Sequence, residues 1–195
     1  MQRCEWAQQG NAAMKNYHDT VWGVPEYRDQ YLFRKLILDI NQAGLSWQTI
    51  LNKSEAFDKA YDNFVIEKVA AFDDKKVTEL MEDAGIVRNR RKIEAAIHNA
   101  KCVLAIQQEW GSFANYLWHF VAGKPIISEF QKAREVPATT ALSDEITKDL
   151  KKRGFKFIGS TIIYAFLQAI GIVNDHLTTC FRYQEIIEKG KHKKS

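Results

Sequence analysis

Residues 150–161 read Leu-Lys-Lys-Arg-Gly-Phe-Lys-Phe-Ile-Gly-Ser-Thr, a succession that indicates two helices joined by a short hairpin. The first helix is expected to end at Gly154, and the second to begin after Gly159 with Ser160 or Thr161 as its cap. Glycine lets a backbone approach a ligand closely, and the free N–H groups of a helix N-terminus point outward. With the neighbouring lysines, this pattern favours phosphate binding; an ordinary helix-turn-helix corner is the alternative.

Helical spacing of apolar residues dominates on both sides of this stretch, and the sequence has no convincing alternating strand pattern. Upstream, Ser143 is expected to cap the helix that ends at Gly154, and residues 126–142 to form a loop between two lobes. Downstream, the apolar run 162–170 predicts a buried helix. Further helices are predicted from apolar stripes in residues 32–40, 47–64 (with a break near Ser54), 77–84, 93–104 and 113–121. The predicted fold class is therefore all-α.

The 195 residues suffice for one well-buried core, or for two small lobes that share a groove. No apolar run approaches the roughly 20 residues that a membrane span needs, and the polar start at Met1 is unlike a signal peptide. The three cysteines form an odd, sparse set, so a disulfide framework is not expected. A reducing, cytoplasmic location without a membrane partner fits best.

The charge of the chain permits an anionic partner without requiring one, because the formal net charge is +4. Part of the excess lies in a basic tail, residues 186–195, which is expected to be solvated. Two further basic clusters are Arg88, Arg90, Arg91 and Lys92, and Lys148, Lys151, Lys152, Arg153 and Lys156. Such runs are usually solvated helix faces, so they do not identify the partner by themselves.

Four residues near the two ends of the chain have the chemistry of metal ligands: Cys4, His18, His176 and Cys180. Two thiolates and two imidazoles are a ligand set for a tetrahedral structural zinc. The spacing of His176 and Cys180 would place both on one helix face, so the ion would join the N-terminal segment to a C-terminal helix. A catalytic zinc is less favoured, because four protein ligands leave no position for water. Buried thiols and a buried histidine without metal are the alternative.

Aromatic residues are frequent in the N-terminal third, where Trp6, Tyr17, Trp22 and Trp47 accompany Asp39. Trp22 and Trp47 stand beside turn signals, where a ring can line a pocket. Asp39 lies near the end of an apolar helix, where solvation is restricted. Rings around one carboxylate suit a flat, electron-poor or cationic heterocycle. Core aromatics and an ordinary surface aspartate are the alternative.

Seven motifs carry a resemblance to a known family. They are Cys4-Glu5-Trp6, Tyr17-His18-Asp19, Trp22-Gly23-Val24-Pro25-Glu26, Gln42-Ala43-Gly44-Leu45-Ser46-Trp47, Asp83-Ala84-Gly85-Ile86-Val87-Arg88, the stretch 151–159, and Val173-Asn174-Asp175-His176. In this order, from Cys4 to Cys180, they resemble the bacterial 3-methyladenine DNA glycosylase I family. The resemblance implies a two-lobed helix-hairpin-helix glycosylase fold with a structural zinc bound by two cysteines and two histidines.

The resemblance also implies roles for particular residues. Cys4, His18, His176 and Cys180 would bind the zinc. Trp6, Tyr17, Trp22 and Trp47 would form the base pocket, with Trp47 stacking on a flipped base and Asp39 contacting the base edge as the catalytic carboxylate. The implied contacts with double-stranded, alkylated DNA are Gly44, Leu45, Gly154, Lys156, Phe157, Gly159, Ser160 and Thr161. The chain is expected to act as a monomer.

Two departures from the family pattern stand in or near the pocket. The family carboxylate is a glutamate, whereas this chain has Asp39, which is one methylene shorter; Val21 replaces the glutamate that commonly precedes the tryptophan of Trp22-Gly23. The first concerns base recognition and the second local packing. Neither touches the predicted zinc ligands or the hairpin.

The implied reaction is hydrolysis of the N-glycosidic bond of 3-methyladenine, whose positive charge makes it a good leaving group. Asn174 stands where many relatives in the wider superfamily have an aspartate. No lysine nucleophile stands out near the pocket, so a monofunctional enzyme without lyase activity is predicted. One alternative is a zinc-stabilised DNA-binding protein with lost or altered glycosylase activity. A weaker one is a helical hydrolase of free nucleosides.

The expected organisation is one glycosylase unit over residues 1–195. Its parts are a zinc-joined lobe of about 1–30 and 160–185, a helical lobe of about 31–125, a hairpin region of about 143–170 and the basic tail 186–195.

Overall fold

The computed structural model describes residues 1–192, with side chains through Glu188. Twelve α-helices lie within these residues: α1 (Glu5–Gln8), α2 (Ala12–Thr20), α3 (Asp29–Gln42), α4 (Trp47–Asn52), α5 (Ser54–Ala60), α6 (Ile66–Ala70), α7 (Asp74–Glu82), α8 (Arg90–Trp110), α9 (Phe113–His119), α10 (Ala141–Lys152), α11 (Ser160–Ala169) and α12 (Phe181–His192). The all-α prediction is confirmed. The predicted basic tail begins inside α12, and its residues 193–195 lie outside the described part of the chain.

A very short parallel pairing joins β1 (Ile126–Ile127) to β2 (Val173–Asn174). It lies partly in the segment predicted to be a loop, which also contains a 3₁₀ turn at Ala133–Glu135. Two-residue strands are too short to leave an alternating pattern in the sequence. Further along the same segment, the Phe130 carbonyl accepts a 2.8 Å hydrogen bond from the Thr178 N–H. The long loop therefore holds in place the chain that follows β2.

Helix α3 is central to the core, since it packs against α4, α8, α9 and α11. Its apolar side chains are fully buried: Leu32, Phe33, Leu36, Ile37 and Ile40. Two ionisable residues of the same helix, Lys35 and Asp39, are also buried, at 5% and 4% exposure. Packing on several sides therefore fixes the helix that carries this polar pair.

The starts of the two helices around the hairpin differ from the prediction. Thr140, not Ser143, is the N-cap of α10; Ser143 is the third helical residue and exchanges hydrogen bonds with Thr140 in a capping box. Gly159 occupies the N-cap position of α11 and provides no side-chain cap. The Ser160 hydroxyl instead donates to Asp144 and lies 2.7 Å from the Ser143 hydroxyl. Tertiary contacts between α10 and α11 thus take the place of the expected local cap.

Within residues 1–192, none of the helices combines the length and the apolar character that crossing a membrane requires.

Candidate metal cluster, pocket and hairpin

The four predicted metal ligands come together from the two ends of the chain. Their ligand atoms all lie within 4.8 Å of one another, and all four residues are buried. The Sγ atoms of Cys4 and Cys180 are each 3.6 Å from His176 Nδ1, and Cys180 Sγ is 3.5 Å from His18 Nε2. The side chains thus form a compact cluster with the geometry to hold a metal ion.

The cluster histidines are each oriented by a hydrogen bond from the other ring nitrogen. His18 Nδ1 donates to Asp19 at 2.8 Å, and Asp19 in turn accepts from the Arg3 guanidinium at 2.7 Å. His176 Nε2 donates to the Trp22 carbonyl at 3.0 Å. Each histidine therefore directs one nitrogen at the cluster, as is usual around protein-bound metals.

The C-terminal pair of ligands lies in a turn rather than on a helix, so this part of the prediction was wrong. Residues 176–180 precede α12, and the Cys180 N–H donates to the Leu177 carbonyl at 2.7 Å. The Leu177 N–H points at Cys4 Sγ, 3.5 Å away. A tight turn brings residues four apart together as well as a helix does. The close approach of the backbone at position 23 to the His176 ring also requires glycine there, because a Cβ on Gly23 would stand 2.9 Å from His176 Nε2.

Beside the cluster is a cavity of about 220 Å³. It brings together all five residues predicted for the pocket: Trp6, Tyr17, Trp22, Asp39 and Trp47. The other lining residues are Met14, Lys35, Gln42, Ala165, Gln168 and Ala169. Val21, the other departure from the family pattern, lines a neighbouring cavity instead.

Two tryptophans form a wall between the cavity and the metal cluster. The Trp6 ring lies edge-on to His18, with centroids 5.2 Å apart, and Trp22 lies edge-on to His176 at 4.6 Å. The two indoles also contact each other at 5.3 Å. The positions of the metal ligands and of this pocket wall are therefore coupled.

The floor of the cavity carries an ion pair. Lys35 Nζ donates a short hydrogen bond to Asp39 Oδ1 from one turn earlier on α3. Burial raises the pKa of Asp39 and lowers the pKa of Lys35, while their mutual contact opposes both changes. The second carboxylate oxygen, Asp39 Oδ2, is buried and has no hydrogen-bond partner among the described residues. An unpaired buried acceptor in a cavity is available to a donor on a ligand.

Lys35, which lines the cavity, is the main feature that the sequence interpretation missed. Its Nζ is 4.0 Å from the centroid of a Trp47 ring and 5.9 Å from that of Tyr17. A signal was present, because Lys35 precedes Asp39 by four residues, the spacing of helical ion pairs. It also falls between apolar residues of the same buried stripe.

The hairpin is attached to α8. The Asn99 side chain accepts from the Lys156 N–H at 2.8 Å and donates to the Lys156 carbonyl at 3.1 Å. Phe155 and Ile158 are buried, whereas the Lys156 and Phe157 side chains are exposed. Gly154 and Phe157 have positive φ, +94° and +59°. The turn thus presents a cation and an aromatic ring to solvent on a fixed backbone.

Lys92 places the hairpin on the same side of the molecule as the loop that follows α3. It is buried, although basic clusters are usually solvated, and its Nζ donates to the carbonyls of Asn41 and Ala43 at 3.0 and 2.8 Å. The same Nζ lies 6.0 Å from the Phe157 ring centroid. Gly44 and Leu45 follow immediately, and Leu45 is 42% exposed. The predicted DNA-contact segments are therefore neighbours, at the end of the helix that carries Asp39.

An all-α fold with a ring-walled pocket, a buried carboxylate and an adjacent helical hairpin is the arrangement expected of a DNA glycosylase. A sequence profile described as methyladenine glycosylase matches residues 6–183, and the chain belongs to this family. It is 44% identical over 183 residues to DNA-3-methyladenine glycosylase 1 of Escherichia coli strain K12, covering 94% of this chain and 97% of the relative.

A second relative is the DNA-3-methyladenine glycosylase of Haemophilus influenzae, 42% identical over 178 residues, with 91% of this chain and 96% of the relative covered. Among solved structures, a variant of 3-methyladenine DNA glycosylase I in complex with 3-methyladenine aligns with a TM-score of 0.90 and 38% identity, covering 94% of this chain and 98% of that one. The family resemblance read from the motifs is confirmed.

Proposed function

We propose that this enzyme removes 3-methyladenine from alkylated double-stranded DNA by hydrolysing the N-glycosidic bond, as a monomer in a reducing cytoplasm. The observation that carries the proposal is the cavity in which Trp6, Tyr17, Trp22 and Trp47 surround the buried carboxylate of Asp39. Membership of the methyladenine glycosylase family supports the choice of base.

In the proposed reaction the damaged nucleotide leaves the duplex and its base enters the cavity. Extrusion costs a few kcal/mol, and stacking on aromatic rings returns about 1–3 kcal/mol per base. Trp47 stacks on the base, and Asp39 Oδ2, which has no partner among the described residues, accepts a hydrogen bond from the base edge. The C1′–N9 bond breaks with its electron pair going to the cationic base, which departs neutral. Water adds to C1′ and releases its proton to solvent.

The proposed metal is a structural zinc bound by Cys4, His18, His176 and Cys180. Zn–S bonds of about 2.3 Å and Zn–N bonds of about 2.0–2.1 Å at tetrahedral angles require sulfur–nitrogen edges of about 3.5–3.6 Å. Three of the four sulfur–nitrogen pairs in the cluster are 3.5, 3.6 and 3.6 Å apart, and all the ligand atoms lie within 4.8 Å of one another. With four protein ligands no position is open to water, so the ion would join the chain ends rather than take part in hydrolysis.

The proposed DNA contacts are the exposed hairpin and the loop after α3. Gly154, Lys156, Phe157, Gly159 and Thr161 would hold the phosphate backbone, through N–H groups and the lysine charge. Ser160 would contribute its N–H, because its hydroxyl already donates to Asp144. Gly44 and Leu45 would enter the gap that the flipped nucleotide leaves.

The test is incubation with methylated duplex DNA, followed by chromatography of the released bases. We expect free 3-methyladenine from the wild-type protein and a sharp loss of release in the Asp39→Asn variant. Asp74→Asn, an exposed aspartate on α7, is the matched control and should retain activity. Full activity of the Asp39→Asn variant would contradict the role proposed for Asp39 in base recognition.

A second candidate is a DNA-binding protein with lost or altered glycosylase activity. The observation that favours it is the Lys35–Asp39 ion pair, which brings a resident cation into the cavity. This candidate predicts salt-sensitive binding of duplex DNA without release of 3-methyladenine.

A further inference from the structure

The Lys35 ammonium makes the contacts that a cationic base would make. It lies 4.0 Å from a ring centroid of Trp47, within the range of a cation–π interaction, and it pairs with the Asp39 carboxylate. These are the same ring and the same carboxylate that the proposed function assigns to the base. The side chain is 6% exposed, so solvent screens its charge poorly.

The charge balance of the cavity follows from this pair. Among the ionisable side chains that line the cavity, Lys35 and Asp39 carry opposite charges, so the lining is close to neutral with Lys35 present and would be negative without it. A negative, ring-walled cavity attracts a cation, whereas a neutral one that already holds an ammonium repels a second. Lys35 therefore weakens the attraction for a base that is still positively charged.

The repulsion between Lys35 and the base decreases during the reaction. In DNA, 3-methyladenine is cationic while it is joined to the sugar, and it becomes neutral as the glycosidic bond breaks and the positive charge moves to the sugar. An interaction that is unfavourable in the bound substrate and relieved in the transition state accelerates the chemical step and weakens binding. A lysine beside the base has this effect.

We infer that Lys35 is a further functional residue of this pocket, which opposes the charge of the bound base and so promotes its departure while reducing affinity for cationic bases. The inference rests on the proposed function, because it assumes that the base occupies this cavity. The contacts of Lys35 with Trp47 and Asp39 place its charge there.

Binding can be tested without catalysis, with two small adenine probes, one cationic and one neutral. 3,9-Dimethyladeninium is permanently cationic, and 9-methyladenine is its neutral counterpart. Calorimetric titration should show that Lys35→Met binds the cation at least about tenfold more tightly than the wild-type protein does. Affinity for the neutral probe should change far less. An unchanged ratio of the two affinities would overturn the inference.

Two further variants separate charge from folding. Lys35→Gln also removes the charge and should reproduce the gain in affinity for the cationic probe, so the test does not depend on one substitution. Adding Asp39→Asn to Lys35→Met removes the remaining charge and should abolish the gain. Lys101→Met, an exposed lysine on α8, should leave both affinities unchanged.

Single-turnover cleavage of methylated DNA supplies the kinetic test. Lys35→Met should lower both the half-saturating enzyme concentration and the maximal rate constant, whereas a purely structural role would not tighten binding. A fall in rate with no tightening would overturn the inference. Absence of base release by the wild-type protein would instead overturn the proposed function, and the ratio of probe affinities is measurable in either case.

Discussion

The metal cluster and the aromatic cavity share a wall, but they differ in how completely their buried polar groups are hydrogen-bonded. In the cluster, His18 and His176 each have an orienting hydrogen bond, and the ligand atoms converge on one point. In the cavity, Asp39 Oδ2 and Trp47 Nε1 are buried without a hydrogen-bond partner among the described residues. A saturated site stabilises a fold, whereas an unsatisfied one is available to a ligand.

The largest effect should follow removal of the metal. Because the ion would join the two chain ends, a chelator should lower the free energy of unfolding by several kcal/mol, on the order of 3–5. The main apolar core does not include the cluster, so most helicity should survive while base release is lost with the Trp6–Trp22 wall. Circular dichroism melts and activity assays with and without chelator measure both.

The control for the metal prediction is Cys102, which is half-buried on α8 and outside the cluster. Cys102→Ser should retain bound metal, whereas Cys180→Ser should lose it. An identical melt of the wild-type protein with and without chelator would contradict the prediction, because the cluster would then be stable without an ion.

Removal of a cavity ring should affect catalysis more than folding. Trp47→Ala removes the proposed stacking face, worth about 1–3 kcal/mol, so kcat/KM for base release should fall about 10- to 100-fold. Trp110→Ala, a tryptophan of α8 that does not line the cavity, is the matched control. Equal losses of specific activity in the two folded variants would place the base elsewhere.

Removing the ion pair of the cavity should preserve or raise the stability of the protein, whereas removing the metal should lower it. Replacing a buried ion pair by apolar residues of similar volume is often neutral or stabilising by about 1–4 kcal/mol. The double variant Lys35→Met, Asp39→Leu should therefore unfold at an equal or higher denaturant concentration while losing base release. Lys35→Met alone should be less stable than the double variant, because Asp39 then remains buried without its partner. A double variant that unfolds much more easily would make the pair structural, like the metal ligands.

The contrast between the metal cluster and the cavity also explains which residues could be predicted from the sequence. Cys4, His18, His176 and Cys180 are recognisable because few other roles use these residue types together, and the motifs around Asp39 and Trp47 point to a pocket through the family resemblance. Lys35 was missed because lysine is seldom buried, and packing on several sides of α3 is what buries it here. The turn of residues 176–180 and the cap at Thr140 were misassigned for a related reason, since a spacing of three or four residues fits more than one local structure.

The smallest expected effect belongs to the hairpin, which lies outside both regions. Lys156 is exposed and would contact a phosphate, so Lys156→Ala should weaken duplex binding modestly and reduce the slope of log K against log salt by about 1. Lys75→Ala, an exposed lysine on α7, should leave the slope unchanged. Metal content and the cleavage rate at saturating enzyme should stay at wild-type values, because neither the cluster nor the cavity contains Lys156. A slower cleavage rate at saturating enzyme would instead mean that the hairpin helps to place the base. The hairpin and the cavity would then not act independently.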